Sequence, residues 1–206
     1  VDGPFFLRER KKQATRVALR EAAMRLALER GPDNVRVEDI AEAAGVSPRT
    51  YNNYFSSREE AIVAAVAADR EARVAVAIAE QPADARLASA VTAAIVAQYS
   101  DPGDRHRDAL LLITTHPALR AAFLETTTAI TSALEDVIAA RLGETSGLTA
   151  RVLAAAVAAA VRVALEQWLQ PAEAIAGFVV PAGSLPEQLR AALAPLGPAF
   201  DAAESR

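Results

Sequence analysis

Apolar residues recur along this chain at spacings of three and four, and strict alternation of apolar and polar positions is absent, so nearly every segment reads as α-helix. A first helix is predicted over about 9–30, with Val17, Ala18, Met24, Leu26 and Leu28 among its apolar positions and Gly31-Pro32 as its stop. A short helix over 37–44 ends at Gly45, a residue suited to the left-handed position that closes a helix. Ser47-Pro48 opens another short helix, serine as cap and proline in the first turn. Ser57-Arg58-Glu59-Glu60 has the spacing of a capping box and opens a long helix to about residue 80. Further helices are expected at about 84–100, 105–115, 117–142, 148–169 and 185–203, separated by proline- and glycine-containing breaks. Ser184 to Glu187 forms a second capping box, and Pro195 should kink or split the last helix. The fold class is therefore all-α, with about nine helices.

Residues 35–60 are the informative stretch. Two short helices flank the turn Gly45-Val46-Ser47. Ile40, Ala41 and Ala44 form an apolar stripe on the first, and Tyr51 and Phe55 one on the second. Packing those stripes together turns Arg49, Thr50, Asn52 and Asn53 outward. That face is polar, free of carboxylates and rich in groups that form paired hydrogen bonds: arginine with guanine, asparagine with adenine. This is the helix-turn-helix layout. The division that follows is a DNA-binding domain over 1–60 and a larger helical domain over 61–206, serving ligand binding and dimerisation.

Charge sharpens this picture. The chain of 206 residues carries a net charge of −4, but residues 1–60 hold eleven basic and ten acidic side chains. Between 8 and 20, six basic residues (Arg8, Arg10, Lys11, Lys12, Arg16, Arg20) face only Glu9, the local basic density that phosphate contact requires. There is no cysteine, which removes disulfides and thiolate metal sites and makes a reducing, cytoplasmic setting the natural expectation. The charged run 8–20 stands where a secretory signal would have an apolar segment. The wholly apolar run 152–161 is bracketed by Arg151 and Arg162, and is too short for a membrane span of about 20 residues.

The residues Val37, Ile40-Ala41, Ala44-Gly45-Val46-Ser47, Thr50, Tyr54-Phe55 and Ser57-Arg58-Glu59-Glu60 follow a helix ending near Gly31. In that order and spacing, the segment 9–66 resembles the TetR family of bacterial transcriptional regulators. The resemblance implies that Ser47, Thr50, Tyr54 and Arg58 contact phosphates, that Arg49, Asn52 and Asn53 read bases, and that Tyr51 and Phe55 are core. It also implies that the helices at about 148–169 and 185–203 form a four-helix bundle with a second subunit, through Val152, Ala156, Val157, Ala160, Leu189 and Leu193. Two positions depart from the family pattern. Arg36 stands where a capping threonine is common, and Asn52-Asn53 where aromatic residues are common.

Enzymatic chemistry finds little support. No G-x-S-x-G, phosphate-loop, dinucleotide-binding or H-E-x-x-H pattern occurs. Asp104, His106 and Asp108 lie two apart, a spacing that does not bring helical side chains together, so no metal and no cofactor is expected. A ligand pocket between helices would be mostly apolar with few polar groups. Its candidate liners are Gln98, Tyr99, His106, Thr115, His116, Thr127, Thr131 and Trp168, with Phe123 as an apolar wall. The reading that results is a dimeric regulator, a repressor, binding a pseudo-palindromic operator and released by a small apolar or amphipathic effector. The alternatives are a helical small-molecule carrier or enzyme with a vestigial helix-turn-helix, and a helical interaction protein with no ligand.

Overall fold

In a computed structural model of the chain, residues 4–82, 84–100, 104–126, 130–143, 147–169 and 184–205 are described, apart from the side chains of 4–6, 71, 100 and 104–107. Every regular element among them is helical. In chain order they are α1 (Pro4–Arg30), α2 (Val37–Ala43), α3 (Pro48–Tyr51), α4 (Arg58–Ala79), α5 (Leu87–Ser100), α6 (Asp104–Thr115), α7 (Pro117–Glu125), α8 (Ile130–Leu142), α9 (Leu148–Leu169), α10 (Leu185–Leu193) and α11 (Gly197–Glu204). The single helix expected over 117–142 is two, α7 ending just ahead of a threonine run of mediocre helix propensity. The last helix splits where expected. Pro195 sits in a 3₁₀ turn, Ala194–Leu196, between α10 and α11. His106 and Thr127, both expected to line a pocket, lie outside the described side chains, as do residues 170–183.

Two compact units emerge. One comprises Val1–Val66 with Arg105–Phe123, the other Ala67–Asp104 with Leu124–Arg206. This differs from a division at 60/61 in two respects: the break falls inside α4, and α6 and α7 group with the N-terminal segment.

The first unit is built on the inner stripe of α1, where Leu19, Ala22, Ala23, Leu26 and Ala27 are buried at helical spacing. α1 packs on α2, and α2 on α3. Gly31 ends α1 at φ 79°, and the Asn34 side-chain amide donates 2.8 Å to the Arg30 carbonyl.

In the second unit, α9 is the central strut. Ala150, Leu153, Ala154, Val157, Ala158, Val161, Ala164, Leu165 and Leu169 form its buried stripe. α8 and α10 cover it, α10 packs on α5, and α11 packs on α5 and α9. α9 meets the length and hydropathy of a membrane span, with a mean hydropathy of 1.8, so its apolar stretch is longer than the ten-residue run suggested. It nevertheless carries Arg162, which bonds Glu166 at 2.7 Å and pairs with Glu125 at 3.4 Å. A buried stripe under two helices, with ion pairs beside it, is the pattern of a core helix.

The rotation of α9 corrects half of the expected subunit interface. Val157 is fully buried within the chain, and so are Leu189 and Leu193 of α10, because all three lie on the stripes that hold α9, α10 and α5 together. Val152 is 61% exposed and remains available, as do the half-buried Ala156 and Ala160. Val163, 56% exposed, extends the outward apolar face.

Candidate nucleic-acid interface

The turn between α2 and α3 is closed by backbone hydrogen bonds. The Gly45 amide donates to the Glu42 carbonyl at 3.0 Å and the Val46 amide to the Ala41 carbonyl at 2.9 Å. This crossed pair is a Schellman closure. It needs a left-handed residue at Gly45, whose φ is 68°. α3 then starts at once. The Ser47 hydroxyl accepts from the Thr50 amide at 3.1 Å and lies 2.9 Å from the Thr50 hydroxyl. Arg36, at the start of α2, cannot accept as a threonine would. Asp39 supplies the reciprocal bond instead, its carboxylate accepting from the Arg36 amide at 3.0 Å.

Tyr51 sets the rotation of α3. Its ring is buried, 5.9 Å from the Phe55 ring, and its hydroxyl donates to the Ser57 carbonyl at 2.7 Å. Burial first, then Glu60 and Glu59, push the phenol well above its ordinary value, so it stays a donor. Arg16 of α1 places its guanidinium 5.1 Å from the centre of the Phe55 ring. With Tyr51 and Phe55 inward, Arg49, Asn52 and Asn53 are exposed on the opposite face, and Thr50 and Tyr54 are half-buried at its edge. Arg8, Lys11, Lys12 and Thr15 of α1 meet Thr50, Asn53 and Tyr54 along a groove of about 590 Å³. The basic run and the recognition face therefore form one concave surface. Sequence spacing alone could not place them together.

Arg58 is placed differently from the expectation that it binds phosphate. Its Nη1 donates to the carbonyls of Val35 at 3.0 Å and Asp33 at 3.2 Å, and its Nε to Glu59 at 2.7 Å. A carboxylate oxygen of Asp33 lies 3.8 Å from Nη2. Most of its donor fork is occupied, which makes Arg58 a clamp between the start of α4 and the loop entering α2. Burial would raise the Glu59 carboxyl, but hydrogen bonds from Arg58 and from the backbone, with the guanidinium charge, hold it below the usual value. Beside this clamp the Ser57 hydroxyl accepts from the Glu60 amide at 3.1 Å, while Glu60 accepts from the amide and hydroxyl of Ser56 rather than from Ser57.

The residues expected to line a pocket fall in both units. Thr115 is exposed, and its hydroxyl is spent on the Leu111 and Leu112 carbonyls at 2.8 and 3.1 Å; His116 likewise bonds the Leu112 carbonyl. Phe123 is buried in the first unit, whereas Gln98, Tyr99, Thr131 and Trp168 belong to the second. The second unit holds a charged group that sequence pattern did not single out. Arg70 is 4% exposed and stacks 4.2 Å from the centre of the buried Tyr99 ring. An arginine inside an otherwise ordinary helical stretch gives no sequence signal of its burial. Among the described residues, no cluster of three His, Asp or Glu side chains could hold a metal ion.

Comparison with known proteins bears directly on this arrangement. A family model for bacterial regulatory proteins of the TetR family matches residues 19–66, and a model for the MftR C-terminal domain matches residues 80–201. The chain belongs to the TetR family. The HTH-type transcriptional regulator TcmR of Streptomyces glaucescens is 33% identical over 146 residues, covering 66% of this chain and 64% of TcmR. The match thus spans less than two thirds of that relative's length. Among solved structures, the TetR-family repressor FadR of Thermus thermophilus, crystallised with lauroyl-CoA, superposes with a TM-score of 0.51 at 22% identity, over 88% of this chain and 92% of FadR. That likeness establishes the TetR fold: a helix-turn-helix near the N-terminus and an all-helical remainder. The TetR family is one of DNA-binding transcriptional regulators.

Proposed function

We propose that this TetR-family protein is a ligand-responsive repressor that binds a pseudo-palindromic operator as a homodimer. The observation that carries the reading is the shared groove of α1 and α3. There an exposed Arg49, Asn52 and Asn53 face stands beside Arg8, Lys11 and Lys12. Side chains of the first group suit base edges in the major groove, and those of the second suit phosphates. Ser47, Thr50 and Tyr54 complete the backbone contacts. Two such faces must lie about 34–36 Å apart to enter successive major grooves, so a dimer is part of the reading. Its support is the outward face of α9, formed by Val152, Ala156, Ala160 and Val163, the last of which lines a groove with Gln188 and Ala191 of α10. An apolar face of that kind is what a two-fold interface covers.

Release by a small apolar or amphipathic effector is the third element. Its support is the size of the helical unit, far larger than DNA contact requires, joined to the reading head through the continuous α4. Effector and operator would then oppose one another with a reciprocal coupling of typically about 1–3 kcal/mol.

The deciding experiment is retention of genomic fragments by the purified protein. A palindromic sequence should emerge, bound by two chains, with log affinity falling linearly against log salt. Retention without sequence preference at low salt would overturn the reading.

A further inference from the structure

A second groove of about 670 Å³ runs between α5, α10 and α11. Its floor is apolar, formed by the buried Val91, Val96, Leu193 and Phe200. Its walls are low. Gly197 starts α11 in helical conformation directly before Pro198, a position where a Cβ would crowd the proline ring. Glycine is accommodated there, and apart from its chain neighbours a Cβ at that point would meet nothing within 4 Å. The volume falls in the range of small-molecule sites.

The charged residue in the lining of this groove is Arg190. Arg190 is exposed on its rim and has no ion pair among the described residues. The acidic groups on the neighbouring turns each have a partner of their own, although the carboxyl of Glu187, one turn before Arg190, is held low by its Ser184 bonds and also by the Arg190 charge. Glu187 accepts from the Ser184 amide at 3.2 Å, Asp201 pairs with Arg86 at 2.7 Å, and Glu204 accepts from the Leu87 amide at 2.9 Å. Ser89 and Thr92 add two neutral hydroxyls to the lining. An apolar trough with one cation and two hydroxyls complements a molecule that has an apolar body and one negative head.

We propose that the groove between α5, α10 and α11 binds an amphipathic organic anion, an apolar chain or ring system bearing one carboxylate that pairs with Arg190. The site deepens the effector reading by assigning a charge to the ligand, but it is tested without DNA. A failure here leaves the operator reading standing, and a failure of operator binding leaves this site standing.

The probe is dodecanoate below its micelle concentration, titrated into the full chain by calorimetry, with dodecanol and dodecyltrimethylammonium as neutral and cationic counterparts. One dodecanoate should bind per chain. Arg190→Gln should weaken dodecanoate about tenfold and leave dodecanol unchanged, since a charge-assisted bond is lost and the trough is kept. Ala97→Leu and Ala93→Leu place bulk on the α5 wall at exposed helical positions, where the fold has no need of alanine. Each should abolish binding of both probes with an unchanged melting temperature. The proposal is overturned by any of three results: no saturable dodecanoate binding, dodecyltrimethylammonium binding as tightly as dodecanoate, or wild-type dodecanoate affinity in both leucine variants.

Discussion

The reading head and the helical unit are built from the same material, amphipathic helices rich in alanine, yet they place their chemistry in opposite ways. In the head, the side chains proposed to act are turned outward by a few local devices: a Schellman turn at Gly45, the Ser47 cap and the Tyr51 hydroxyl bonded to Ser57. In the helical unit, distinctive groups are brought together by packing between distant segments. Arg70 meets Tyr99, Arg141 donates to the carbonyls of Pro82 and Ala85, and Glu204 caps α5. Local devices tolerate change in the residues they display. Packing devices do not, and substitutions should separate the two regimes.

The largest effect is expected in the helical unit. Val157→Arg places an unpaired charge in the α9 core, at a cost of about 3–5 kcal/mol, and should abolish cooperative melting or shift it steeply downward. Ala156→Glu, half-buried at the outward face, should leave the protomer folded and shift sedimentation toward monomer. Equal thermal loss in both variants would erase the distinction between the core and outer stripes of α9.

In the head, the expected loss is in recognition rather than in fold. Asn52→Ala should cost about 1–3 kcal/mol of operator affinity, relax preference at one position per half-site and leave the melting temperature unchanged. Selection of bound sequences before and after the substitution reads this out. Unaltered preference would remove Asn52 from base reading.

This contrast also explains what could be read in advance. The glycine turn, both capping residues and the inward Tyr51 and Phe55 are short-range features, each decided within about six residues, and they stand where sequence spacing put them. The helices of the second unit were legible for the same reason. The partners of its side chains were not. Val157 and Val152 are both valines in an unbroken apolar run, and only the face of α9 that α8 and α10 cover decides which is core. Arg58 shows the same limit inside the head. A capping-box position announces a helix start, but its engagement with the Asp33 and Val35 carbonyls depends on a loop more than twenty residues away.

Arg58 and Lys11 therefore make a matched pair within the head. Arg58→Ala should lower stability by about 1–2 kcal/mol, through removal of its bonds to two carbonyls, while the salt dependence of operator binding keeps its slope. Lys11→Ala should do the reverse: no change in melting, and a salt slope shallower by about 1 for each phosphate it no longer neutralises. Swapped outcomes would return Arg58 to the phosphates.

The smallest effect concerns acid. Glu59 has its carboxyl held below the ordinary value in the folded chain, burial opposing and Arg58 with the backbone prevailing. A group with a depressed folded value stabilises the fold above its unfolded value, and that contribution fades as pH falls through the folded one. Glu59→Gln should thus be less stable than the wild type near neutrality, and the two should converge as pH drops below the ordinary carboxylate range. Glu187 is also lowered, by the Ser184 backbone and side-chain bonds, but it is fully exposed, so Glu187→Gln should show a fainter trend of the same sign. Melting curves of both variants across that interval compare the two regions directly. The Glu59 clamp joins α4 to a loop by charge, whereas the Glu187 box closes one helix end in water. A Glu187 effect as large as that of Glu59 would show that the clamp adds nothing beyond a cap.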